Sequence, residues 1–179
     1  MKTENKKLRQ EVENLQQYTR RNNVVISGIK YEEGENLFEL IRKCADDVNV
    51  KIEPQDIDIA HRLPKRRDTS EPPVILVKFV RRTLKHQLMS LWKANRSKKQ
   101  SGTPTPKETV YINDHLTQKS AHLLRKAKEC RNRGELKYVW TKDGGVYVRR
   151  EENEKAVRVQ CETDIFKAST ARTNATSTR

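Results

Sequence analysis

Acidic residues, aromatics, cysteines and long apolar runs are all scarce here, and each scarcity narrows what the chain can be. Between Pro72 and Lys107 there is no Asp or Glu, while the same stretch carries nine Lys or Arg. The preceding stretch from Tyr31 to Asp58 is the reverse, with nine acids against three bases. The net charge of +14 is therefore gathered on particular surfaces, which is the footprint of a polyanion-binding protein. Only 34% of residues are hydrophobic and 35% are charged, lean for one large core and better suited to two small domains plus an extended element. No apolar run approaches the roughly 20 residues a membrane span needs. The N-terminus MKTENKKLRQ has no signal core, so an intracellular protein is expected, cytoplasmic or nuclear. Cys44, Cys130 and Cys161 lie far apart without a C-x-x-C pair, which argues against both a disulfide framework and a zinc site. No P-loop, G-x-S-x-G or metal-ligand pattern is present, and His61 near Asp58 has no third group. No enzyme activity, cofactor, metal or small-molecule substrate is expected.

An α+β chain in four parts emerges from the periodicities. Residues 1–22 read as a short coiled-coil helix, with Leu8, Val12 and Leu15 at d, a and d of a heptad and charged or amide flanks. Alone it is marginal in water, so self-association through these three residues is expected. Residues 23–115 follow the order β-α-β-β-α-β. The strands are Val24–Ile29, Ile57–Leu63, Val74–Phe79 and Val110–Ile112. One helix runs from Asn36 to Val50 with Asn36 as N-cap, and the other ends near Ala94. That order is ferredoxin-like and, with a basic third strand and following helix, suggests an RNA-recognition-motif domain. A polar connector, 95–108, precedes its last strand. Residues 116–168 form a small C-terminal unit: a helix ended by Gly134, a hairpin turning at Asp143-Gly144 or at the adjoining Gly144-Gly145, a short strand and a short helix. Residues 169–179 read as a disordered tail.

Basic and aromatic residues on these elements make the candidate interface. RNA-recognition motifs usually stack bases on rings of strands one and three, but Val25, Val74 and Leu76 fill those slots here, and Tyr111 is the one ring expected on that face. What remains is charge. Lys78, Arg81, Arg82 and Lys85 leave strand three and enter the next helix beside Arg62. Arg20 and Arg21 stand between the first helix and the first strand. In the C-terminal unit, Leu116, Leu123, Ala127 and Cys130 make a core stripe, leaving Lys119, Arg125 and Lys126 outside. A two-residue turn pairs Trp140 with Tyr147 and Tyr138 with Arg149, making one hairpin face aromatic and cationic, suited to single-stranded bases. A longer turn scrambles these pairs, and Trp140 as a core residue is the alternative.

Several short motifs carry a resemblance. They are QYTRRNNVVI at 17–26, DIAHRL at 58–63, VKF at 77–79, VYINDHLT at 110–117, VWT at 139–141 and VYVR at 146–149. In this order and spacing the chain resembles the baculovirus few-polyhedra (FP) protein and the FP-like first-reading-frame proteins of non-LTR, LINE-type retrotransposons. The resemblance implies a trimerising coiled coil and an aromatic-poor RNA-recognition motif. It also implies a small C-terminal domain that clasps single-stranded nucleic acid together with the motif, in a chaperone role. By that resemblance Arg125 and Arg81 or Arg82 contact the backbone. Only a stub of coiled coil is present, a departure from the family plan.

Two functions follow. The first is a non-enzymatic protein that binds single-stranded RNA or DNA and packages element RNA into a ribonucleoprotein. The alternative is a coiled-coil adaptor with only generic nucleic-acid affinity. No helix-turn-helix or zinc finger is present to enter a major groove.

Overall fold

A computed structural model describes residues 2–65, 70–99 and 110–170. Helix α1 (Lys2–Thr19) leads into strand β1 (Asn23–Ser27), helix α2 (Leu37–Asp46) and a 3-10 turn (Pro54–Asp56). Strands β2 (Ile57–Arg62) and β3 (Ile75–Phe79), helix α3 (Arg82–Lys99) and strand β4 (Tyr111–Asp114) follow. Helix α4 (Gln118–Asn132), strands β5 (Tyr138–Lys142), β6 (Gly145–Arg149) and β7 (Val157–Val159), and helix α5 (Glu162–Thr170) complete the chain. The protein is thus α+β with two antiparallel sheets, and it divides into two compact units, residues 19–115 and residues 1–18 with 116–179.

In the unit 19–115 the strands lie in the order β2-β3-β1-β4. The alternation of β1 and β3 sends Val24, Ile26, Ile75, Val77 and Phe79 to one face, where they meet Ile41, Cys44 and Ala45 of α2 and Leu84, Leu88 and Met89 of α3. Val25 pairs with Leu76 on the opposite face. Asn36 caps α2, its side chain accepting from the Glu39 backbone N–H. Helix α3 runs past the expected end near Ala94 to Lys99; no Gly or Pro interrupts the chain before Gly102, so nothing stops it earlier. The remainder of the expected connector, 100–108, lies outside the described residues, as does 171–179 of the expected tail; residues 169–170 belong to α5 instead.

A buried acid helps to tie this unit together. Asp56 is buried and accepts from the Glu53 N–H at 3.0 Å and from Arg81 at 2.5 Å, and these bonds, the backbone one foremost, hold its carboxyl below the ordinary 3.8. A folded-state value below the unfolded one stabilises above the unfolded value, and the gain is lost as pH falls through the folded value. Asp56→Asn is therefore expected to lower stability at neutral pH and to reduce the stability lost on acidification, as read by urea denaturation at neutral and acid pH.

In the second unit α4 lays Leu123, Ala127 and Cys130 on Val146 and Val148 of the hairpin, with Leu136, Val159, Ile165 and Ala168 closing the core. Leu116 precedes the N-cap Thr117 and is not among the buried residues of that core, unlike the stripe expected. Asp143 (φ 51°) and Gly144 (φ 76°) form the turn between Lys142 and Gly145, the doubly left-handed geometry of a type I′ turn. A Cβ on Gly144 would come within 3 Å of the Gln17 side chain. Gly144→Ala is expected to cost about 1–2 kcal/mol from backbone strain, measured by thermal unfolding.

Helix α1 meets this unit by its polar face. The Gln17 amide oxygen accepts from the Thr117 N–H at 3.0 Å, Glu13 accepts from the Thr117 hydroxyl, and Gln10 accepts from Lys119 at 2.8 Å. The expected heptad residues point elsewhere: Leu8, Val12 and Leu15 are 55%, 52% and 65% exposed. Among the described residues, nothing covers this apolar seam.

Candidate nucleic-acid interface

The hairpin register sets the first part of the site. Trp140 faces Tyr147 and Tyr138 faces Arg149, so alternation places all four on one side while Val146 and Val148 go to the core. The Trp140 and Tyr147 rings stack with centroids 5.8 Å apart and planes at 17°. The Arg149 guanidinium lies 4.4 Å from the Tyr138 ring centre, and Lys137 lies 5.7 Å from it. Arg131, Lys137, Tyr138, Trp140 and Arg149 line a shallow hollow of about 450 Å³. A ring pair flanked by cations is what stacked bases and their phosphates need. Arg131 and Lys137 were not among the candidates; one ends α4 and the other precedes β5, so only the fold brings them to the hairpin face.

On α4, Lys119 and Arg125 are exposed and Lys126 is half-exposed. Arg125 donates to His122 Nδ1 at 3.1 Å, and His122 Nε2 lies 2.8 Å from Glu162 at the start of α5. That contact with His122 holds the Glu162 carboxyl below its ordinary 4.5. Lys126 pairs with Glu129 at 3.4 Å, a surface pair worth little.

In the unit 19–115 the basic candidates separate into two groups. Arg81, Arg82 and Lys78 reach the surface at the end of β3 and the start of α3. Arg81 is 67% exposed despite its bond to Asp56, and Lys78 pairs with Asp58 at 2.6 Å across the β2–β3 ladder. Arg82 donates to the Asn22 side chain at 3.3 Å. Two other candidates are structural. Lys85 is 1% exposed, its ammonium 2.7 Å from both the Asp114 carboxylate and the Arg21 carbonyl. Arg62 bonds to both Glu35 oxygens at 2.8 Å and to the carbonyls of Ile29, Lys30 and Pro73. All five Arg62 donors are committed and the Lys85 ammonium is closed off from solvent, so both leave the candidate set. A charge pattern cannot show this, because the partners stand 27 and 29 residues away.

Tyr111 is half-buried on the edge strand β4, opposite Ser27 of β1. Arg20 and Arg21 are half-buried and engaged in contacts of their own. His115 packs against the Asn23 side chain at 3.2 Å. Burial first, then the charges of Arg20 and His61, hold its imidazole below the ordinary 6.5. Burial also pushes the Cys44 thiol up to about 11 and raises Cys130, the profile of inert structural thiols. Among the described residues, no group of three or more His, Cys, Asp or Glu is placed to hold a metal ion, and no helix is long and apolar enough to cross a membrane.

Fold and surface together define a small α/β domain that presents a cationic, aromatic hairpin face. Residues 117–169 match the family profile described as Baculovirus FP protein domain 2. The match spans α4 through α5 and supports the FP-like resemblance for this part of the chain. No curated protein matches the chain.

Proposed function

We propose that this protein is a non-enzymatic binder of single-stranded RNA or DNA, of retrotransposon type, that packages element RNA into an intracellular ribonucleoprotein and acts as a nucleic-acid chaperone. The observation that carries the proposal is the hairpin face, where Trp140 and Tyr147 stack among Arg131, Lys137 and Arg149. Bases would stack on the rings while Arg125, Lys126 and Lys119 of α4 take phosphates. The unit 19–115 is read as an RNA-recognition-motif domain without the usual rings, contributing Lys78, Arg81 and Arg82. Sequence preference should be weak, because few groups are placed to read base edges.

Neutralising about 6 phosphates of a single strand gives a slope near −4 for log affinity against log salt. Arg125→Ala and the pair Arg81→Ala/Arg82→Ala are each expected to weaken binding to all sequences alike and to flatten that slope by about 1 per lost contact. If neither set changes the slope, these surfaces do not carry the binding.

The exposed Leu8, Val12 and Leu15 favour self-association of α1 as a coiled coil, the feature the adaptor alternative would use for a partner. Leu8→Glu/Leu15→Glu is expected to convert an oligomer to a monomer in analytical ultracentrifugation. An unchanged mass would remove the seam from the account.

A further inference from the structure

Arg125 is linked to α5 through His122 of its own helix. His122 sits between two groups, with Glu162 Oε1 2.8 Å from its Nε2 and Arg125 Nη2 3.1 Å from its Nδ1. A guanidinium only donates, so Nδ1 accepts and the ring proton of the neutral imidazole belongs on Nε2, where it is given to Glu162. A protonated ring has no acceptor left. Proton uptake therefore ends the Arg125–His122 bond and sets two cations against each other at contact distance. The charged groups touching the ring are Arg125 from α4 and Glu162 from α5, and Lys126 of α4 acts on that same Glu162 carboxylate. A phosphate that took up the Arg125 donor now given to Nδ1 would stabilise positive charge on both side chains.

We propose that His122 is a positioning residue that holds Arg125 when no polyanion is bound and releases it on taking up a proton, so that single-stranded nucleic acid binds with proton uptake. This rests on the reading in which Arg125 contacts phosphate. Binding that takes up a proton strengthens as pH falls, by at most about tenfold per pH unit for one proton. Glu162 keeps the ring oriented and accepts its Nε2 proton in either state.

The test compares the full chain with His122→Gln, titrated into a labelled single-stranded RNA at about pH 8 and about pH 5.5. Glutamine can accept from Arg125 and donate to Glu162 without titrating. The two proteins should bind within about twofold of each other at the higher pH. On acidification the unmodified protein should gain about threefold to tenfold more than the variant. His61, His86 and His115 are common to both and drop out of the comparison. Equal gains would overturn the proposal. Arg125→Ala at the higher pH separates the two layers. If it weakens binding while the gains are equal, only the role of His122 fails; if it leaves affinity and salt slope unchanged, the phosphate role of Arg125 fails and takes the proposal with it.

Discussion

Lys85→Met is expected to remove about 3–5 kcal/mol of stability, enough to unfold much of the unit 19–115 at ambient temperature. The ammonium is 1% exposed and bonds at 2.7 Å to Asp114 and to the Arg21 carbonyl, joining α3, the end of β4 and the approach to β1. Without it the Asp114 carboxylate, itself buried, loses its ammonium counter-charge in the interior. Removing both charges is a different experiment. Lys85→Met combined with Asp114→Leu should recover most of the loss, because apolar replacements of a buried pair are often neutral. Urea denaturation of the three proteins decides the matter. If Lys85→Met lowers stability by less than about 1 kcal/mol, the ammonium reaches solvent and Lys85 returns to the phosphate-contacting set.

The second large effect concerns the hairpin. Trp140→Ala is expected to weaken binding of single-stranded RNA by about tenfold to a hundredfold, since stacking on an aromatic ring contributes about 1–3 kcal/mol per base. A ring carries no charge, so the salt slope should stay as it was. This separates Trp140 from Arg125, whose loss flattens the slope. Should Trp140→Ala destabilise the domain rather than weaken binding, the ring belongs to the core. Its stack with Tyr147 would then be structural. Tyr147→Ala, one place across the ladder, gives the independent check.

The hairpin was legible in the sequence because Asp143-Gly144-Gly145 marks a turn, but only the fold selects the two-residue turn at Asp143-Gly144 that fixes every pair in the ladder. The strands of the first unit were legible from their β-branched runs, and α2 from its Asn36 cap. What could not be read was burial of charge. Lys85 and Arg62 look like Arg81 and Arg82 in a list of bases; only the fold reveals that Asp114 and Glu35 are waiting for them. The same limit hid the link from Arg125 through His122 to Glu162, whose outer members belong to different helices. The direction of α1 was half legible. Heptad spacing marked Leu8, Val12 and Leu15 as a seam. The polar face that meets Thr117 and Lys119 uses Gln10, Glu13 and Gln17, residue types that read as solvated flanks.

The central claim is that cations and rings on these surfaces hold single-stranded nucleic acid, and fluorescence anisotropy addresses it most directly. A labelled single-stranded RNA of about 30 nucleotides would be titrated with protein at about 50 and about 200 mM salt, with duplex DNA as competitor. A slope near −4 predicts a loss of about 250-fold in affinity between the two salts, and duplex DNA should compete poorly because stacking needs unpaired bases. Weak binding at the lower salt, or competition by duplex equal to that of single strands, would contradict the account and leave the exposed seam of α1 as the protein's working surface.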